Sequence, residues 1–244
     1  MPEPAPTLQD DIEDPVRRAD PDRWLAARFI ADESARADVM AVYAFDHVLA
    51  RVPFQVTEPL MGEIRLTWWR EVLDEIYEAR PVRSHPVALA LADAVRRRSL
   101  ARAPLDAMLE ARFGDIAPQP FSNLDTAVLY ADQTSGAVMQ AAVQALGGPA
   151  NAQAAKLTGR AYGLAALAHR RAIGGQTRLG EGMDVRPAVQ AALREAAPGI
   201  KVLPVKAFPA VAYACLSRRY ARGSHMPQLE KQLRLIWATA MGAV

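Results

Sequence analysis

A single cysteine, Cys215, stands in a chain of 244 residues. One thiol closes no disulfide within the chain and furnishes no cysteine-based zinc site, and it fits a reducing compartment. Glycine is sparse at 14 residues, and no glycine-rich phosphate loop, dinucleotide fingerprint or nucleophile elbow occurs. The four histidines, His47, His85, His169 and His225, lack the helical spacing of two metal ligands, which argues against a histidine zinc site. Long hydrophobic runs are missing too. The longest stretch without a charge, between Asp132 and Lys156, is broken by Gln133, Gln140, Gln144, Gly147, Gly148, Pro149 and Asn151 and does not read as a membrane span. The N-terminus has no apolar signal core, and its acids run against a mitochondrial transit peptide. These absences predict a cytoplasmic protein, at most peripheral at the inner membrane.

The net charge of +2 is unevenly distributed. Residues 1–20 hold six acids and two arginines, so the remainder carries a balance of +6. Such a body favours an acidic partner, a phosphate-bearing ligand or an anionic membrane surface, although ordinary solvated helix faces explain it as well. The arginines are not interleaved with aromatics in any nucleic-acid module, so no nucleic acid is expected as a partner. Arg96, Arg97, Arg98, Arg218, Arg219 and Arg222 are the candidate contacts with an acidic partner or membrane.

Hydrophobic residues make up 51% of the chain, enough for a substantial core. Residues 1–20 read as a flexible acidic tail. From residue 21 to 244 apolar positions recur three and four apart with no alternating strand, which predicts one all-α domain of about ten helices. A short helix over Asp22–Ile30 is followed by one capped by Asp32 that runs to about Val52, where Pro53 stops it. Thr57 and Pro59 open the clearest amphipathic helix, with the stripe Met61, Ile64, Trp68, Val72, Ile76 and Trp69 and Leu73 beside it. Pro86 begins a helix through Arg98 and Pro104 another to Gly114. A long helix of small residues is expected over Leu124–Leu146. A helix capped by Asn151 follows to about Arg171. Pro187 and Pro198 bracket a shorter one, and helices over Pro209–Arg222 and Pro227–Met241 complete the set.

Few residues invite chemistry. Tyr43 and Asp46 share a face with Val39, Val42 and Leu49, and an acid on an apolar stripe must be paired or hydrated. Asp46 therefore reads either as a pocket acid or as half of an ion pair, with Arg65 a candidate partner. His47 and Arg51, one turn apart, could grip a phosphate or form a surface pair. Trp68 and Trp69 either line an apolar cavity or anchor the core. Gly159-x-x-x-Gly163 and Ser135-Gly136 permit close helix packing.

In order and spacing, Asp22-Arg23-Trp24-Leu25, Val42-Tyr43-Ala44-Phe45, Gly62 to Arg70, His85-Pro86-Val87-Ala88, Tyr130-Ala131-Asp132, Ser135-Gly136 and Gly159 to Ala166 resemble the squalene/phytoene synthase family. That resemblance covers about Asp22 to Val244. It implies the isoprenoid synthase fold, a helical bundle around a central cavity, and Tyr43 and Tyr130 match pocket tyrosines of the family. In active members, two aspartate clusters bind magnesium ions that hold the diphosphates, because a leaving diphosphate needs its charge neutralised by hard cations on several carboxylates. Here the cluster positions read Ala50, Arg51 and Phe54, then His169 and Ile173, and His47 stands where the pattern has arginine. The stretch after Arg178 is also shortened, and the family's Tyr-Leu-Pro segment is missing.

Phe45 to Val52, Met61 to Tyr77 and Val205-Lys206-Ala207-Phe208-Pro209-Ala210 look like a branch of the family that assembles respiratory complex I. The resemblance thus implies a pseudoenzyme acting in assembly of NADH:quinone oxidoreductase, with a protein partner, no metal and no other cofactor, and the acidic N-terminus suggests a bacterial member. The alternatives are an active prenyltransferase with atypical magnesium ligation, or a binding protein for an isoprenoid or other lipid. The expected pocket lining is Tyr43, Asp46, His47, Arg65, Trp68, Trp69, Tyr130, Gly136 and Tyr162.

Overall fold

A computed structural model describes residues 8–224 and 226–244, with side chains from residue 12 onward. Among the described residues every regular element is helical. The α-helices are α1 (Leu8–Ala19), α2 (Pro21–Ala27), α3 (Glu33–Arg51), α4 (Pro59–Tyr77), α5 (Pro86–Arg98), α6 (Arg102–Ile116) and α7 (Leu124–Ala131). They continue with α8 (Ala137–Ala145), α9 (Gln153–Ala172), α10 (Arg186–Ile200), α11 (Pro209–Ala212), α12 (Ser217–Tyr220) and α13 (Gln228–Met241).

Local chemistry explains most starts. The Asp32 carboxylate accepts from the Ala35 amide at 3.0 Å and opens α3. His85 Nδ1 accepts from the Val87 amide at 3.2 Å and opens α5, with Pro86 as its first residue. Asn123 and Thr126 form a reciprocal capping box at the start of α7.

Several expectations need correction. Residues 8–19 of the expected flexible tail form α1, because Ile12 and Val16, one turn apart, bury against the rest of the core. Residues 1–7 lie outside the described residues. The single helix expected over Leu124–Leu146 contains a wide π turn, Asp132–Gly136, between α7 and α8. The segment Pro209–Arg222 is not one helix; a 3-10 turn over Tyr213–Leu216 separates α11 from α12. On α4, Met61 and Ile64 point outward while Val72 and Ile76 of the expected stripe are buried, and the buried face is Gly62, Leu66, Trp69, Val72, Leu73 and Ile76. The helix is rotated because Gly62 lets the Ile116 side chain of α6 come close: a Cβ there would stand 3.2 Å from it.

Helix α3 is central and packs against α1, α5, α8 and α6, while α9 packs against α10, α8 and the π turn. Gly159 makes the last contact possible, since a Cβ at that position would collide with the Ser135 carbonyl and stand 2.7 Å from the Gly136 Cα. Gly136 is therefore a packing residue where α9 crosses the π turn, as the small-residue pattern suggested.

Candidate functional site

A buried polar cluster starts at Asp46 on α3. It is buried, and its two oxygens face different arginines: Oδ2 accepts from Arg23 of α2 at 2.7 Å and Oδ1 from Arg112 of α6 at 2.8 Å. Burial alone would raise the carboxyl, but Arg112 and Arg23 outweigh it and hold the pKa at about 2. The expected partner Arg65 is not involved; its guanidinium reaches Gln55 at 3.4 Å.

The network extends in two directions. Arg112 also reaches the Tyr130 hydroxyl at 2.8 Å and Asp115 at 3.1 Å, and Tyr130 donates to Asp115 at 2.7 Å. Arg178 closes that end, 3.3 Å from Asp115 and donating to the Gln119 carbonyl at 2.8 Å. Toward α9, the Arg23 guanidinium lies 5.7 Å from the Tyr43 ring centre and 5.9 Å from that of Tyr213. The Tyr213 and Tyr162 rings meet edge to face at 4.7 Å. Asp22 then accepts from Tyr220 at 2.5 Å and faces Lys231 Nζ at 3.4 Å, and the Tyr220 ring stacks on His169 at 4.5 Å. Burial pushes the Tyr43, Tyr162 and Tyr220 hydroxyls well above their usual range and Tyr213 to about 12, so all four are neutral near neutral pH; Tyr162 and Tyr220 donate to carboxylates, and the Tyr43 and Tyr213 hydroxyls are buried without a hydrogen-bond partner. Side chains from α2 and from the α11–α12 segment thus meet in the interior.

The other half of the expected lining lies elsewhere. His47, Arg65, Trp68 and Trp69, with Arg51 and His85, border a cleft of about 400 Å³ closed on one side by Pro15 of α1. Burial, then Arg51, pushes the His47 imidazole below its ordinary pKa, which makes it a neutral group beside two guanidiniums. Trp69 does both jobs foreseen for it: it borders the cleft and is buried edge-on against Phe45, with ring centres 5.7 Å apart. The residues expected to line one pocket thus occupy two separate places. Tyr43, Asp46, Tyr130 and Tyr162 belong to the buried network, and His47, Arg65 and Trp68 to the cleft.

Of the cluster positions, Phe54 and Ile173 are exposed, Arg51 is exposed at the cleft rim and His169 is held against Tyr220. Asp132, the other acid considered, is clamped by Arg160, each oxygen at 2.7 Å from a guanidinium nitrogen. Among the described residues no three His, Cys, Asp or Glu side chains are grouped so as to hold a metal ion. Arg23, Arg112, Asp115 and Arg178 around Asp46, and Asp22, Tyr213, Tyr220 and Lys231 toward α9, are network members absent from the expected lining. One signal was available: Arg112 continues the apolar spacing of Leu105, Met108 and Leu109, so an arginine falls on a core-facing stripe.

The sequence profile of squalene/phytoene synthase matches residues 16–180, about two thirds of the chain. The chain belongs to the squalene/phytoene synthase family. Its fold agrees: a dehydrosqualene synthase crystallised with a ligand superimposes with a TM-score of 0.73 at 14% identity, covering 96% of both chains. A squalene synthase from Alicyclobacillus acidocaldarius gives 0.67, again at 14% identity, over 96% of this chain and 94% of that one. Among curated proteins, "NADH dehydrogenase (ubiquinone) complex I, assembly factor 6" from Bos taurus and from Homo sapiens is 28% identical over 132 residues. That segment is 54% of this chain and 39% of each relative. The two solved synthases thus agree with the chain in fold at 14% identity, and the two assembly factors agree with it in sequence over about half its length.

Proposed function

We propose that this family member acts in the assembly of respiratory complex I (NADH:quinone oxidoreductase) without prenyl diphosphate chemistry, as a bacterial cytoplasmic protein working on a protein partner. The observation that carries the reading is the pairing of Asp46 with Arg23 and Arg112. A carboxylate whose oxygens each accept from a buried guanidinium already has its charge compensated, and the two cations beside it repel a metal ion. Asp132 is spent on Arg160 in the same way. The residues present do not fit the magnesium ions of the catalytic relatives, since Ala50, Arg51, Phe54, His169 and Ile173 bring no carboxylate to the cluster positions. Without metal clamping, the developing diphosphate charge loses most of its stabilisation. The names of the sequence relatives supply the process.

The test is a gene deletion in the organism that encodes the chain. Assembled NADH:quinone oxidoreductase should fall and return when the wild-type gene is restored, while isoprenoid products stay constant. Normal complex levels together with a lost isoprenoid product would overturn the reading.

The cleft supports a second reading, in which the chain holds an isoprenoid or other lipid without converting it. Its Trp68, Trp69 and Val48 walls suit an apolar body, and Arg51 and Arg65 an anionic end. Mass spectrometry of lipid extracted from the purified chain should then show one stoichiometric species, diminished by Trp68→Ala.

A further inference from the structure

The last helix exposes what a soluble helix normally buries. On α13, Leu235 and Ala238 face inward, and Lys231 reaches back to Asp22. The opposite face carries Leu229, Leu233, Ile236, Trp237 and Met241, exposed at 66%, 58%, 50%, 61% and 64%. Steps of four, three, one and four place them on one broad face of the helix with Ala240 among them, and Glu230 in the first turn is the charged side chain that falls within that face.

The surrounding charge is equally one-sided. From residue 201 to the end the chain has seven basic residues (Lys201, Lys206, Arg218, Arg219, Arg222, Lys231 and Arg234) and one acid, Glu230. The preceding 200 residues are net acidic, with 26 acids and 22 basic residues. Arg219 lies 3.6 Å from Glu230, which ties α12 to the first turn of α13. Its neighbours Arg218 and Arg222 are exposed, and neither makes an ion pair among the described residues. An apolar stripe with tryptophan and leucine in a strongly basic segment is the composition of a helix that lies in the plane of an anionic bilayer. Spanning is not at issue, since among the described residues no helix is long and apolar enough to cross a membrane.

A second copy of the chain fits the stripe less well. A 14-residue helix is ~21 Å long. One face of it offers on the order of a few hundred Å², short of the ~800 Å² per partner of a stable interface. Two copies would also bring like-charged segments together.

We propose that α13 docks the protein on an anionic lipid surface, with Leu229, Leu233, Ile236, Trp237 and Met241 in the headgroup boundary and Arg218 and Arg222 on the lipid phosphates. This goes beyond a role in complex assembly and stands or falls separately from it.

The experiment is co-sedimentation of the full chain with vesicles of pure phosphatidylcholine and with vesicles containing one third phosphatidylglycerol. Binding is expected to the second kind only, to weaken with salt, and to shift the Trp237 emission to the blue. Leu233→Ser with Trp237→Ser should weaken it at least ~tenfold, and Arg218→Glu with Arg222→Glu several-fold, with unfolding temperatures unchanged because all four side chains are exposed. The proposal is overturned by wild-type protein that stays in the supernatant with both vesicles, by variants that bind as tightly as wild type, or by a wild-type dimer in solution that the Leu233 and Trp237 changes dissolve.

Discussion

Asp46 and Arg112, 66 residues apart in sequence, meet at 2.8 Å in the interior, with the other Asp46 oxygen held by Arg23 at 2.7 Å. A buried acid between two buried cations is expensive to break from one side, because the groups left behind are uncompensated. Asp46→Ala should therefore lower stability by ~3–5 kcal/mol in urea unfolding. A change below ~1 kcal/mol would mean that water replaces the carboxylate at little cost and that the network is not structural.

The same pair sets a pH dependence. The Asp46 carboxyl is held near 2 in the folded chain, below its unfolded value of ~3.9. A depressed carboxyl pKa contributes stability that is complete above the unfolded value and is lost as pH falls toward the folded one. Wild type should lose stability between about pH 4 and pH 2 more steeply than Asp46→Asn. Asp20 works in the opposite sense, because burial raises its pKa and a charged carboxylate there costs stability. Parallel acid limbs for wild type and Asp46→Asn would show that other groups govern acid unfolding.

Arg97 and Arg98 were candidate partner contacts, yet both are bound to Asp38, a fully buried acid, at 2.5 and 2.6 Å. Arg96 is paired with Asp93. Reversing Arg97 and Arg98 to glutamate should cost roughly 2–3 kcal/mol, less than for a fully buried pair because the guanidiniums are partly exposed. Thermal unfolding checks this. Unchanged stability with lost partner capture would restore these arginines as a docking surface.

The helix crossing at Gly159 should tolerate no side chain. Gly159→Ala gains ~1 kcal/mol of helix propensity, but its methyl would collide with the Ser135 carbonyl and Gly136. A net loss of ~1–3 kcal/mol is expected from overpacking against backbone that cannot rotate away. At Gly174 nothing lies within 4 Å, but its φ of +72° makes alanine strained for a different reason. Equal unfolding midpoints for wild type and Gly159→Ala would show that α9 can slide past the π turn.

Much of the architecture was legible because its signals are local. Asp32, Pro59, Pro86 and the glycines after α8 and α9 state where helices start and stop in a few neighbouring residues, and the spacing between them fixes the helices. Helix α1 is hard to read because its buried stripe amounts to Ile12 and Val16 set among acids, which composition reads as a tail. The rotation of α4 is equally hard to read, since only tertiary contact at Gly62 decides which of two adjacent stripes is buried. At the site, Asp46 was identifiable as an acid that needed a partner. Its partners were not, because Arg23 and Arg112 arrive from α2 and α6 and no local pattern encodes a contact over 66 residues. The break between network and cleft was hidden for the same reason: Tyr43 and His47 are one turn apart on α3, and only packing sends them to different places.

The most direct test of the account is magnesium-dependent pyrophosphate release from farnesyl and geranylgeranyl diphosphate by the full chain, shown to be folded by circular dichroism and run beside an active family member. The account predicts no release above a heat-treated control, because Asp46 and Asp132 are committed to arginines. Sustained release above that control, abolished by chelating magnesium, would contradict it.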